Sequence, residues 1–369
     1  MQDCRLGFVL DEFQYAVSSS PGLLSTLQVL WDTHLSRTRA FIVLSGSIVS
    51  FAKGVLSSRN PLYGRLTGAM KLEPLKPLEV RCFVPRWSPE EAVGLYGFWR
   101  GAGVPSGGGS RDSLWGNIER LVLRPNARFL DEARYLLREE LREVTRYFSI
   151  LEAIAWGATG YGEIASRSGV PSESLSRYLR ILEEMGVVVR ELPVVGRGRA
   201  RYRVADSFMR FWFRYVPRYR AAIELDASKR VVEVVRRDFE ERLLPLVWEE
   251  VVANMVVRTA ARGDIPVTVT RMGRWRHRGE EIDLVVLDEM VSPPRIVVAE
   301  ATWSRLGPCD ARRELDRLRA KARLLTIEAS STIYVLDARE FRGEPPTLPD
   351  ERLLTIEDYD MLSREVCGG

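Results

Sequence analysis

The 369-residue sequence predicts an α/β multidomain protein. Three observations carry that prediction. Leu6–Leu10 and Phe41–Leu44 are short apolar runs flanking a helical stretch. Residues 146–205 read as three helices and a β-hairpin. From about residue 230, amphipathic helices alternate with apolar strands. At roughly 100–200 residues per domain, the length accommodates two or three domains.

The first segment takes its strands from Leu6–Leu10 and Phe41–Leu44, rich in branched and aromatic residues as buried parallel strands are. Residues 22–37 between them have helical periodicity, and strand–helix–strand order implies a βαβ crossover. Residues 88–145 continue with helical spacing (Ala92, Leu95, Tyr96, Trp99; Phe129, Ala133, Leu136, Leu137, Leu141), interrupted by a loop at Gly101–Gly109. Helices at 146–156, 161–167 and 172–185 are followed by strands at 187–192 and 199–204, the order of a winged helix-turn-helix. A long amphipathic helix at 230–257 opens the last segment. Strands near 266–270, 281–287 and 295–300, a charged helix at 310–324 and a strand at 332–336 complete a second α/β domain. The expected domains are therefore 1–87, a helical lid at 88–145, a winged helix at 146–222 and a C-terminal domain at 230–369.

Composition narrows the function classes. Hydrophobic residues are 46% and charged residues 28%, which excludes disorder as the main state. Mean hydropathy is −0.13. No apolar run approaches the ~18 residues of a membrane span. The start, MQDCRLGFVLDEFQYAV, turns acidic too soon for a signal peptide, so the cytoplasm is the expected location. Cys4, Cys82, Cys309 and Cys367 are scattered without a CxxC, which indicates neither a zinc knuckle nor a disulfide framework. With only His34 and His277, a His-based hydrolase or zinc protease is not expected. Net charge is +4, and of the 54 basic residues only 5 are lysines.

Four groups of residues carry chemistry. Gly7-Phe8-Val9-Leu10-Asp11-Glu12 has the form of a Walker B strand. There Asp11 would hold Mg²⁺ through water and Glu12 would orient the attacking water; an acidic turn after a strand is the simpler reading. Ser47, after Phe41–Leu44, sits where an ATPase sheet senses the γ-phosphate, or caps a turn. Arg65 in Pro61-Leu62-Tyr63-Gly64-Arg65 would face phosphate, or solvent. The dipeptide Gly-Lys of a P-loop occurs nowhere in the sequence.

In the winged helix, Leu175, Tyr178, Leu179 and Leu182 form the expected buried stripe, leaving Ser174, Arg177 and Arg180 for the major groove of double-stranded DNA. Residues 190–220 hold nine arginines, among them Arg197, Arg199 and Arg201, against Glu191 and Asp206, a local charge of +7. With Tyr202, Phe211, Trp212, Tyr215 and Tyr219 nearby, that cluster suits phosphate contacts; pairing of the arginines with a neighbouring domain is the alternative.

In the C-terminal domain, Asp283 enters one strand and Glu300 ends the next, with Glu249 on the preceding helix. This is the PD-(D/E)XK nuclease layout, in which such carboxylates hold Mg²⁺. The lysine expected two residues after the glutamate is Thr302, and Lys321 is the one lysine left to replace it. A nuclease-like fold kept for binding or scaffolding is the favoured alternative.

Taken in order, VLDEFQYA at 9–16, VLSGSIVSF at 43–51, NPLYGRLTG at 60–68, YFSILEAIAWG at 147–157, LSRYLRILEEMGVV at 175–188, YRVADSFMRFWFRYV at 202–216 and GEEIDLVV at 279–286 resemble an archaeal family. That family comprises AAA-like/STAND P-loop ATPases with a winged helix and a C-terminal PD-(D/E)XK-like, restriction-endonuclease-like domain. The resemblance implies ATP and Mg²⁺ as cofactors, Walker B at Asp11-Glu12, a sensor at Ser47 and a phosphate-facing Arg65. It implies a P-loop half of the ATPase sheet beyond these residues, and a homo-oligomer. The expectation is a truncated or degenerate DNA-associated ATPase that does not hydrolyse ATP alone. Its rivals are a non-catalytic winged-helix adaptor and a Mg²⁺-dependent nuclease.

Overall fold

The computed structural model describes residues 7–46, 54–55, 57–99, 113–141, 143–225 and 227–368. The chain divides into two units, Met1–Glu73 and Pro74–Gly369.

In the first unit, β1 (Gly7–Leu10) and β2 (Phe41–Leu44) pair in parallel, with Gly7 opposite Phe41 and Leu10 opposite Leu44. Parallel neighbours need a crossover connection, and α1 (Phe13–Ser19), α2 (Leu23–Thr33) and a 3₁₀ turn at Leu35–Arg37 supply it. Both strands are apolar, yet Val9 is 70% and Phe41 66% exposed. Parallel strands are ordinarily covered on both faces. Ser47 lies outside the described residues.

The second unit begins with α3 (Pro77–Phe83), α4 (Pro89–Phe98), α5 (Leu114–Leu121) and α6 (Glu132–Glu140). Residues 74–87, expected with the ATPase half, thus belong to this unit. Ser88 and Glu91 cap α4 reciprocally: the Glu91 N–H donates to Ser88 Oγ at 3.2 Å and the Ser88 N–H to Glu91 Oε2 at 3.3 Å. Next come α7 (Val144–Ala155), α8 (Tyr161–Ser168), α9 (Ser172–Glu184) and the hairpin β3 (Val188–Glu191)–β4 (Arg201–Val204). They are followed by α10 (Ser207–Glu224), α11 (Ser228–Asp238) and α12 (Leu244–Arg262). A π-helical turn at Phe239–Leu243 interrupts the helix expected as continuous over 230–257.

The C-terminal sheet has the order β5-β6-β7-β8-β9. β5 (Arg271–His277), β6 (Glu280–Asp288) and β7 (Arg295–Leu306) run antiparallel. β8 (Ser331–Phe341) and β9 (Glu351–Leu354) are parallel to β7 and to each other, with α13 (Pro308–Ala322) and α14 (Ile356–Gly368) as connection and close. The strand expected at 266–270 is displaced to Arg271–His277. Pro266 cannot donate to a ladder, and the edge position of β5 tolerates its charged side chains.

One apolar core runs through the second unit, from Leu78 to Leu362. The α10 aromatics Phe211, Trp212 and Tyr215 lie in it, each at most 1% exposed. They are core residues and do not face phosphate, which corrects that part of the sequence reading. A second correction concerns the cysteines. Cys82 of α3 and Cys367 of α14 form a disulfide across a separation of 285 residues; such pairings cannot be deduced from spacing alone. Among the described residues, no helix is long and apolar enough to cross a membrane.

Candidate nucleic-acid interface

The helix-turn-helix is shaped by a few local choices. The Glu163 carboxylate accepts from the Gly160 and Thr159 amides at 3.0 and 3.2 Å, holding the start of α8. Gly169 ends α8 at φ +69°, a conformation costly for any residue with a Cβ, and turns the chain into α9. Leu175, Tyr178, Leu179 and Leu182 are 3% exposed or less, so one face of α9 is buried as its spacing predicts. Arg177 and Arg180 are exposed on the other face. Among the described residues they make no ion pair and no side-chain hydrogen bond. Ser174 is half-buried and its hydroxyl donates back to the Pro171 carbonyl at 3.0 Å, which ties it to the first turn of its own helix. Ser176, which the sequence reading did not select, is exposed between the arginines.

The arginine-rich stretch separates into two populations. Arg197 and Arg199, in the loop between β3 and β4, are exposed and likewise unpaired among the described residues. Arg190 and Arg218 are exposed too, Arg218 lying over the Trp156 ring at 4.7 Å, and the other five are paired. Arg201 donates to Thr159 Oγ1 at 3.0 Å and stands 3.6 Å from Glu163. Arg203 pairs with Glu191 and Glu250, and Arg210 with Glu250 at 2.7 Å. Arg214 pairs with Asp238 at 2.7 Å and Arg220 with Asp131 at 2.7 Å. Five of the nine arginines are therefore ion-paired, while Arg190, Arg197, Arg199 and Arg218 are exposed without an ion pair among the described residues.

A second group lies where α12 meets the C-terminal sheet. Asp283 sits one step beyond the last β6–β7 pair, Leu284 opposite Ala299, and its carboxylate accepts from the Ala301 N–H at 3.0 Å. Burial pushes Glu249 up to about 8, with Asp283 and Glu281 adding to the shift and Arg274 opposing it. Burial also raises Asp283, and raises Glu300 to about 7, reinforced there by Asp283 and opposed by Lys321. Two cations hold this group. Arg274 donates to Glu249 and also stands 3.3 Å from Glu281. Lys321 donates to Glu300 at 2.6 Å, so the one lysine of the domain does reach the glutamate from α13. Thr302, at the motif lysine position, instead shares a 2.8 Å hydrogen bond with Ser304. Among the described residues, no three His, Cys, Asp or Glu side chains form a group that could hold a metal ion. Asp283 lies close enough to disfavour the charge of both Glu249 and Glu300, but Arg274 donates to Glu249 and Lys321 to Glu300, and the set does not fit Mg²⁺. Arg274 went unselected because it sits in RMGRWRH, which reads as a polar segment.

In the first unit, Asp11 follows β1 and accepts hydrogen bonds from Ser45 Oγ and, at 3.0 Å, from the Glu12 N–H. Glu12 accepts from the Gln14 side chain. Arg65 is held by Asp32 through two bonds of 2.8 and 2.7 Å. It fastens the 61–65 turn to α2, and its hydrogen bonds to Asp32 keep that carboxyl below its usual range. The sequence has no Gly-Lys, the dipeptide with which a P-loop cradles a triphosphate.

Comparison with known proteins agrees with this layout. Residues 143–192 match the IclR helix-turn-helix domain, and they cover α7, α8, α9 and β3. Residues 212–314 match DUF234, archaeal and bacterial proteins of unknown function. Uncharacterized protein MJECL04 of Methanocaldococcus jannaschii is 30% identical over 356 residues, 95% of this chain and 79% of that protein. Uncharacterized protein MJ0424 of the same organism is 38% identical over 47 residues, 13% of this chain and 46% of that protein.

Proposed function

The chain belongs to the family of the archaeal protein MJECL04 and carries an IclR-type helix-turn-helix, and on that premise we propose that it binds double-stranded DNA through α9 and the wing. The supporting observation is the placement of its free charge. Arg177 and Arg180 project from α9, and Arg197 and Arg199 from the wing, while Arg203, Arg210, Arg214 and Arg220 of the same stretch are held in ion pairs. Guanidinium groups suit both phosphate oxygens and the guanine edge. The test is duplex affinity measured over a salt series. The full chain should bind with a steep negative slope of log K against log salt, and Arg177→Ala and Arg180→Ala should each flatten it by about one. Salt-independent binding, or slopes unchanged in both variants, would sink the reading.

The C-terminal domain is read as a nuclease-like fold serving binding, because Arg274 and Lys321 stand on the carboxylates that hydrolysis would need. No metal-dependent cleavage is assigned to it.

A second reading concerns the first unit. We infer that Asp11, Glu12 and Ser47 are one half of a Walker B and sensor site, supported by the parallel β1–β2 pair ending in Asp11 and by the Ser45 bond across it. The phosphate-cradling residues would then come from another segment of polypeptide. On this reading Mg-ATP leaves the melting temperature of the 369-residue chain unchanged and raises it once a polypeptide bearing G-x-x-x-x-G-K-[ST] is supplied. No shift in either case would discard it.

A further inference from the structure

The wing does not stand clear of the molecule. Val194 and Val195, between β3 and β4, are 9% and 8% exposed and pack with Trp275, Ile282 and Val285 of the C-terminal sheet. The Val194 N–H donates to the Arg274 carbonyl at 3.0 Å, joining the hairpin loop to β5 by a backbone bond. An apolar loop tip with a paired backbone donor is a docked element.

Docking creates a cleft of about 130 Å³ between the hairpin and β5. Its charged lining is four arginines, Arg199 and Arg201 from the wing side and Arg274 and Arg276 from β5, against one carboxylate, Glu191. Other carboxylates, outside the lining, pair with these cations. Glu281 takes Arg276 at 2.6 Å and Arg274 at 3.3 Å, Glu249 takes Arg274, and Glu163 lies 3.6 Å from Arg201. Arg199 has no partner among the described residues and lies exposed at the mouth. Glu249, Glu281 and Glu163 thus hold Arg274, Arg276 and Arg201 in place, and Arg199 is left unpaired among the described residues of the lining. Converging guanidinium donors are what a phosphodiester, with charge on every unit and no proton to donate, is recognised by.

We propose that this cleft binds the phosphate backbone of the same nucleic acid that α9 engages, so that the C-terminal domain is part of the interface. The proposal rests on the duplex-binding reading above. It adds a contact from a strand outside the helix-turn-helix, and it explains why an edge strand carries Arg274 and Arg276 flanking the buried Trp275. A wing held by its own C-terminal sheet meets DNA in a fixed orientation, with the cleft as a second point of attachment.

The experiment measures binding of a fluorescent duplex to the full chain over a salt series, with Arg276→Ala, Arg276→Lys and Arg177→Ala compared. Arg276 lies outside the helix-turn-helix, and Arg274 remains on Glu281 when it is removed. The expected result is that Arg276→Ala lowers the slope by about one and weakens binding about fivefold at physiological salt, while Arg276→Lys keeps the slope. Melting temperatures of the free variants, unchanged within a few degrees, show that the loss is not unfolding. An unchanged slope in Arg276→Ala alongside a reduced slope in Arg177→Ala overturns the cleft and leaves the helix-turn-helix reading standing. A full chain with no salt-dependent binding overturns both. A slope lowered equally in Arg276→Ala and Arg276→Lys also overturns the proposal, because the lysine keeps the charge.

Discussion

Burial raises Glu249 to about 8, outweighing the attraction of Arg274. In the unfolded chain it ionises near the usual 4.5. Between those two values the folded state binds more protons than the unfolded state. Stability therefore falls as pH rises through that window and levels off above it. Glu300, raised to about 7, acts in the same direction and finishes earlier. Glu351 acts oppositely. Although burial disfavours its charge, hydrogen bonds from Arg312, the Leu348 N–H and Arg319 hold it at about 2. Its contribution is complete above about 4.5 and lost only as pH falls toward 2. The expected outcome is a melting temperature that declines from pH 5 to pH 8, with the last part of that decline absent in Glu249→Gln; parallel curves for the two proteins would contradict it. At this scale the sequence puts Asp283 and Glu300 on successive strands, and those strands are neighbours in the sheet. It did not show their counter-ions. Arg274 and Lys321 reach the carboxylates from β5 and α13, and nothing in local spacing reports a partner that far along the chain.

Elements were legible in proportion to how much of their pattern is local. The stripe Leu175, Tyr178, Leu179, Leu182 repeats at helical spacing, and its burial follows directly. The parallel pairing of β1 and β2 follows from the intervening helices. β5 is hard to read locally because RMGRWRH carries Arg271, Arg274 and Arg276 on an edge strand where only Trp275 is buried. The π turn at Phe239–Leu243 was invisible because its residues keep helical periodicity on both sides. β9 and α14 were passed over. β9 has only four residues, and it is stabilised by pairing with β8, a tertiary contact. The wing shows the same limit. Its hairpin was readable, but the burial of Val194 and Val195 depends on a sheet that begins some seventy residues later.

At the scale of the molecule, the aromatic residues of α10 join the helices before it to the C-terminal sheet through one core. The disulfide adds a covalent tie between the first and last helices of that same unit. Loop-closure entropy for a separation of 285 residues corresponds to an upper value of about 6 kcal/mol. Thiol reduction should accordingly lower the melting temperature of the second unit, and a melting curve insensitive to reductant would count against the bond.

The same tie makes the polypeptide from Cys82 to Cys367 a closed ring rather than a thread. One protease cut anywhere within that ring opens it without dividing it. The nicked protein should migrate as a single species on a non-reducing gel and separate into two pieces only after its thiols are freed.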